Sequence, residues 1–256
     1  MANWTRTVIW PMGSLKFAQF VERGYLPCQM TNDLIRKRLS IMAIAQGNAP
    51  AKTAMEIMGG NMNKKDVLIV CALEMETQGK LADWETLYTG VGKVNATYAL
   101  SKYLFSHRPK LVINYGTAGS KNLDIGELVD CTRFVQRDMD NTALGFAKGN
   151  TAFEDHIPTM LDFSHIKNNL IGRHYVCGTG DNFVQDINLE MDGVDIFDME
   201  SYALAKVCHL QGVPFVSYKY ITDNADDTAN KDWVGNLASG MDLFEEKVLG
   251  QMIKRS

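Results

Sequence analysis

From Asp66 onward, apolar runs of strand length alternate with stretches of helical period. Val67-Leu68-Ile69-Val70-Cys71-Ala72, Leu111-Val112-Ile113-Asn114-Tyr115 and Phe215-Val216-Ser217-Tyr218-Lys219-Tyr220 lack polar alternation, as strands covered by helices on both faces do. Helices are predicted over 94–106, after a glycine turn, over 199–210, ending at Gln211-Gly212 with Pro214 beyond, and over 237–252. This alternation argues an α/β fold with a largely parallel sheet. Residues 1–65 read differently. They lack strand alternation, carry the punctuations Gly47-Asn48 and Gly59-Gly60, and hold one amphipathic helix over 33–45 with Leu34, Leu39 and Met42 on one side. No continuous apolar stretch follows Arg6, which argues against a signal peptide. The expected organisation is a basic, poorly ordered extension over 1–65 and one domain over 66–256.

Composition narrows the class. The 256 residues, 46% hydrophobic and 22% charged, suit one globular domain and exclude disorder for most of the chain. The longest apolar run, Val67 to Leu73, falls far short of the roughly 18 residues of a membrane span. Cys28, Cys71, Cys131, Cys177 and Cys208 are odd in number, widely separated and mostly set in apolar sequence, so they read as reduced, buried residues of a cytoplasmic protein. The five histidines are scattered and there is no CxxC, so no metal site is expected. Residues 1–65 carry 9 Lys+Arg against 3 Asp+Glu, and residues 66–256 carry 17 against 27. An acidic body of that kind repels a phosphate backbone, and nucleic acid is not the expected partner.

Ligand sites in parallel sheets collect at the carboxyl ends of strands. There the chain carries Ala72-Leu73-Glu74-Met75-Glu76-Thr77, Gly116-Thr117-Ala118-Gly119-Ser120, Gly178-Thr179-Gly180-Asp181-Asn182-Phe183 and Ile221-Thr222-Asp223-Asn224-Ala225-Asp226. Each has a structural reading, with small residues in tight turns and acids capping helices. Four together match a small-molecule hydrolase or transferase, which needs backbone N–H groups, a carboxylic acid and a carboxylate base at one rim. Gly90-Val91-Gly92-Lys93 lacks Walker spacing, and neither GxGxxG before a helix nor GxSxG occurs, so kinase, dehydrogenase and lipase readings are weak.

These segments, with Gly90-Val91-Gly92-Lys93-Val94, Asn114-Tyr115-Gly116-Thr117-Ala118-Gly119, Arg137-Asp138-Met139-Asp140-Asn141-Thr142-Ala143-Leu144-Gly145-Phe146, Asp198-Met199-Glu200-Ser201 and Thr222-Asp223-Asn224-Ala225-Asp226, resemble in order the motifs of the 5'-methylthioadenosine/S-adenosylhomocysteine nucleosidases, within the nucleoside phosphorylase superfamily. The resemblance spans about Val67 to Met252. It implies a single-domain three-layer α/β/α sandwich with a central mixed, largely parallel sheet, and a homodimer that uses no metal or organic cofactor. It also implies roles. Asp223 protonates adenine at N7, Glu76 activates water, and Glu200 holds the ribose hydroxyls above Met199. Thr117, Ala118 and Gly119 line the ribose and water side, and Phe183 stacks on the base whose edge the Val184 backbone reads. Val91, Leu73 and Trp233 cover the 5'-alkylthio group, and Ala72, Thr222 and Lys219 complete the substrate-binding set. Leu144 reaches into the neighbouring subunit's site.

Three departures accompany the resemblance: a short segment between Glu76 and Gly90, Lys219 where bacterial members carry arginine, and Arg137 in place of a histidine. Superfamily phosphorylases hold phosphate with arginines at the first strand's turn and before the Gly-rich turn. Here those places hold Leu73-Glu74-Met75-Glu76 and Asn114-Tyr115, so water is the expected nucleophile. The expected activity is hydrolysis of 5'-methylthioadenosine or S-adenosylhomocysteine to adenine and a 5-thioribose. The alternatives are a purine nucleoside phosphorylase, a nucleosidase for another nucleoside such as futalosine, and an inactive nucleoside-binding module.

Overall fold

The first strand, β1 (Val67–Cys71), is buried at every position, because neighbours pair with both of its edges. β2 (Glu85–Tyr88) and β3 (Leu111–Gly119) run parallel to it, in register Leu68 to Glu85 and Val67 to Leu111. Between them α1 (Lys93–Ser106) buries Ala96, Leu100 and Leu104, one residue per turn on its inner side. The computed structural model describes residues 63–167, 169–185, 192–226, 233, 236 and 239–255. The expected extension, with its helix over 33–45, lies outside these residues except for its last three.

β8 (Phe215–Asp223) pairs along its length with β3 in parallel, and antiparallel with β4 (Leu128–Gln136). β4 pairs antiparallel with the short β5 (Met160–Asp162) and parallel with β6 (Tyr175–Thr179). β6 pairs with β7 (Ile196–Asp198), which returns to β3 through the antiparallel pair Gly119 and Phe197. The expected mixed, largely parallel sheet is present, but its strands close a circuit, β3–β8–β4–β6–β7–β3, with β1, β2 and β5 outside it. A closed circuit is a barrel-like arrangement, where the resemblance implied a three-layer α/β/α sandwich.

α2 (Ser201–Gln211) buries most of one face and packs beside α1. It stops at Gly212, whose φ of +65° suits the left-handed turn that ends a helix. The helix predicted over 237–252 is described as α3 (Gly240–Phe244), a π-helical turn over Glu245–Leu249, and α4 (Gly250–Arg255). One main core holds most of the buried apolar residues, with a second, small cluster of Val184, Phe197 and Ala225. Leu68, Ile69, Val112, Val129, Phe134, Phe215 and Val216 are each 0% exposed, and each such side chain contributes roughly 1.5–3 kcal/mol by leaving water.

Two strands run past their apolar stretches. Gly116 to Gly119 and Ile221 to Asp223 read as turns in the sequence, yet they continue β3 and β8 and pair with each other, with a bulge at Ala118/Gly119. This extension carries Thr117 and Asp223 to the rim of the sheet.

Candidate active site

Glu76 closes a 3-10 turn, Glu74–Glu76, just after β1. One carboxylate oxygen accepts the Leu73 N–H at 2.9 Å and caps that turn. The other accepts the Thr117 N–H at 3.2 Å and the Thr117 hydroxyl at 3.4 Å. At 4% exposure this is not a solvated first-turn acid. Burial pushes its carboxyl pKa up, against the pull of the Leu73 N–H, the Lys219 ammonium and Thr117, which makes Glu76 a stronger base than an exposed glutamate. The Trp233 indole N–H donates to the Thr117 hydroxyl at 2.9 Å and brings that ring over the same corner.

Asp223 ends β8. One of its oxygens accepts the Ala225 N–H at 3.0 Å, an Asx-type turn, and the other accepts the Thr222 hydroxyl at 3.0 Å. Ala225 holds φ at +54°, a left-handed conformation that costs a non-glycine residue roughly 1 kcal/mol and is kept here by a buried, tied turn. Glycine is required opposite. A Cβ on Gly119 would overlap Oδ1 of Asp223.

Glu200 precedes α2 without capping it. The Ser201 N–H at the helix start is taken by Asp198 at 2.9 Å, and Glu200 instead accepts the Gly92 N–H at 2.8 Å. Gly92 reaches this position with φ at +94°, just before α1. Burial and then the charge of Asp198 push the Glu200 carboxyl up to about 7. Under it lies a fully buried ion pair, Lys219 Nζ to Asp198 at 2.8 Å, with Thr179 donating to Asp198 at 2.6 Å. Burial opposes both charges, but the Lys219 ammonium, Ser201 and Thr179 hold Asp198 down at about 2. Asp198 in turn holds Lys219 above the usual lysine range, against the same burial.

Glu76, Asp223 and Glu200 open into one cavity of about 430 Å³, large enough for a nucleoside-sized ligand. Ala72, Leu73, Val91 and Trp233 form an apolar part of its wall, Thr117, Ala118 and Gly119 bring the β3 rim, and Phe183, Val184 and Met199 line it as well. Phe183 is 41% exposed, so it is a wall rather than core. Its ring meets Trp233 edge-on, with centroids 6.4 Å apart.

The sequence model of the phosphorylase superfamily matches residues 50–248. The curated 5'-methylthioadenosine/S-adenosylhomocysteine nucleosidase of Actinobacillus succinogenes is 30% identical over 217 residues, 77% of this chain and 93% of that one. The chain belongs to this nucleosidase family of the phosphorylase superfamily. Among solved structures, Streptococcus pneumoniae MTA/SAH nucleosidase in complex with 8-aminoadenine superposes with TM-score 0.63 at 20% identity, covering 74% of this chain and 99% of that one. Helicobacter pylori futalosine hydrolase superposes with TM-score 0.62, also at 20% identity, covering 74% and 97%.

Two residues expected at this nucleosidase-family site do not line the cavity. Lys219 stands behind the wall, consumed by Asp198, because its strand position turns it under Gly116 rather than outward. Thr222 acts one step back, donating to Asp223 and, at 3.3 Å, to the Ala118 carbonyl. Leu144, expected at a neighbouring subunit's site and not at this one, sits in the turn Thr142–Leu144 and is 63% exposed. Four wall residues were not expected there: Arg137, Asn182, Phe197 and Asp198. Asn182 and Asp198 fall within motifs already singled out, and Arg137 was noted as a departure. Phe197 gave no signal, since β7 has only three residues. The short segment after Glu76 still supplies a strand, β2, that pairs with β1.

Proposed function

We propose that this protein hydrolyses the N-glycosidic bond of 5'-methylthioadenosine and S-adenosylhomocysteine, releasing adenine and a 5-thioribose. The observation that carries the reading is the convergence of two buried carboxyl groups, Glu76 and Asp223, from separate strand ends on one cavity that also holds Glu200. Asp223, as the acid, gives a proton to adenine N7 while the bond from C1' to N9 breaks, so that the base leaves neutral. The ribosyl group passes through an oxocarbenium-like state, favoured by nearby negative charge. Glu76 takes a proton from the water whose oxygen bonds to C1', which balances the proton lost by Asp223 over one turnover. Glu200 holds the ribose hydroxyls.

Water rather than phosphate fits the charges. The turn after β1 carries Glu74 and Glu76, and the Lys219 ammonium is neutralised by Asp198. The N–H groups of Gly92 and Lys93 at the start of α1 are taken by Glu200 and by Asp181, the latter at 2.8 Å. A phosphate dianion would meet acids where it needs donors. The apolar wall of Leu73, Val91 and Trp233 suits the methylthio tail of 5'-methylthioadenosine.

The assembly belongs to the same proposal. Val94, Tyr98 and Phe105 form an exposed apolar stripe along α1 that starts beside the cavity residue Val91, and Leu144 is exposed as well. Such a stripe supports a homodimer in which the second copy covers it. Buried free thiols at Cys71, Cys131, Cys177 and Cys208 support the cytoplasm. Among the described residues no helix is long and apolar enough to cross a membrane.

The test is adenine release from 5'-methylthioadenosine, S-adenosylhomocysteine and futalosine by the purified chain, beside Asp223→Asn. Release from the two thio-nucleosides that falls at least 100-fold in the variant supports the reading. A preference for futalosine overturns the substrate, and nucleoside binding without release overturns the enzyme.

A further inference from the structure

Arg137 follows β4 and is 2% exposed, a cation buried in the cavity wall for which the reaction above has no use. Two of its guanidinium nitrogens hold one loop. Nη1 donates to the Asn182 side-chain oxygen at 3.0 Å and Nη2 to the Asn182 carbonyl at 2.6 Å, while its backbone N–H donates to Thr179 at 3.0 Å. The fork lies face-on against Gly180. A Cβ there would stand 2.7 Å from Cζ, 2.9 Å from Nη2 and 3.0 Å from Nη1, so any larger residue at 180 would displace it. The adjacent Asp138 accepts the Asp181 N–H at 2.9 Å and pairs with Lys93 at 2.5 Å. Residues 180–184 form no regular element, and Phe183 and Val184 are the next two residues along.

We propose that Arg137 is a positioning residue for base recognition: its two-point clamp on Asn182 fixes the loop that places Phe183 and Val184 against the purine. This rests on the nucleoside reading of the cavity. A planar fork can hold a side-chain oxygen and a carbonyl at once, which a lysine ammonium on a flexible stem does not do. The loop contacts the base before and during bond cleavage alike, so loosening it removes uniform binding. That raises KM and leaves kcat.

The experiment compares wild type, Arg137→Lys and Asn182→Leu, using equilibrium binding of adenine and steady-state turnover of 5'-methylthioadenosine, with thermal melting as a check on folding. Arg137→Lys should weaken adenine binding and raise KM about tenfold, with kcat within about twofold. Asn182→Leu, at an exposed position where no core is disturbed, should give the same pattern at about threefold, and it serves if Arg137→Lys does not fold. Unchanged adenine affinity in a folded variant overturns the clamp while leaving the nucleosidase reading intact. So does a loss confined to kcat or to melting temperature. If wild type neither binds adenine nor turns over the nucleoside, the functional reading fails and the clamp falls with it.

Discussion

Replacing Lys219 with methionine tests the charge arrangement under the site. The ammonium and the Asp198 carboxylate are both 1% exposed and 2.8 Å apart, so removing the cation leaves a buried anion. Breaking such a pair from one side costs about 3–5 kcal/mol. Asp198 keeps the Thr179 hydroxyl at 2.6 Å and the Ser201 N–H at 2.9 Å, which places the expected loss at the lower end, ~3 kcal/mol. For a folded unit of this size that is a fall in melting temperature of about 6–12 °C. Adding Asp198→Asn to Lys219→Met should recover at least ~1 kcal/mol, because an amide keeps an acceptor without a stranded charge. Asp198 has its folded pKa at about 2, below its ordinary 3.8, so its pairing contributes stability above pH 3.8 and loses it as pH falls towards 2. The gap between wild type and Lys219→Met should therefore be full at pH 7 and narrow on acidification. Urea and thermal unfolding at pH 7 followed by circular dichroism give the numbers. A single variant within ~1 kcal/mol of wild type, or a double variant no better than the single, would refute the reasoning.

Gly119→Ala puts a methyl group onto Oδ1 of Asp223, and the steric conflict should cut kcat at least tenfold while circular dichroism still reports the fold. Glu200 has its folded pKa raised from 4.5 to about 7, so its contribution to stability is present below 4.5 and is lost as pH rises to 7. Glu200→Gln should flatten the pH dependence of unfolding across that window, read from urea midpoints at pH 5 and pH 8. Tyr98→Glu, which charges the exposed stripe of α1, should shift the assembly to monomer in sedimentation velocity.

β1, α1 and α2 were legible because their apolar runs are unbroken and glycine marks α1's start and α2's end. The far ends of β3 and β8 were not, since Gly116-Thr117-Ala118-Gly119 and Thr222-Asp223 carry turn-type residues that the pairing of the two strands overrides. β4 hid for a related reason. Asp130, Thr132 and Arg133 interrupt its run, and Asp130 is paid for only in the fold, by N–H groups of Arg173 at 2.8 Å and His174 at 2.9 Å. At the site, residues on glycine-marked strand ends could be read, and 13 of the 15 residues chosen for this chain's own site line the cavity, all but Lys219 and Thr222. What could not be read is which of two charges faces the cavity and which lies behind it. Lys219 looked like a ligand-facing cation and is half of a buried pair, while Arg137 was noted only as a departure from the family pattern and stands in the wall.

The central claim is that water, activated at Glu76, and not phosphate, attacks the ribosyl carbon. The direct measurement is 5'-methylthioadenosine turnover by the full chain in phosphate-free buffer and again with phosphate added, with the sugar product identified by mass. Equal rates and free 5-methylthioribose in both conditions are predicted. A requirement for phosphate with a sugar 1-phosphate as product would contradict the account.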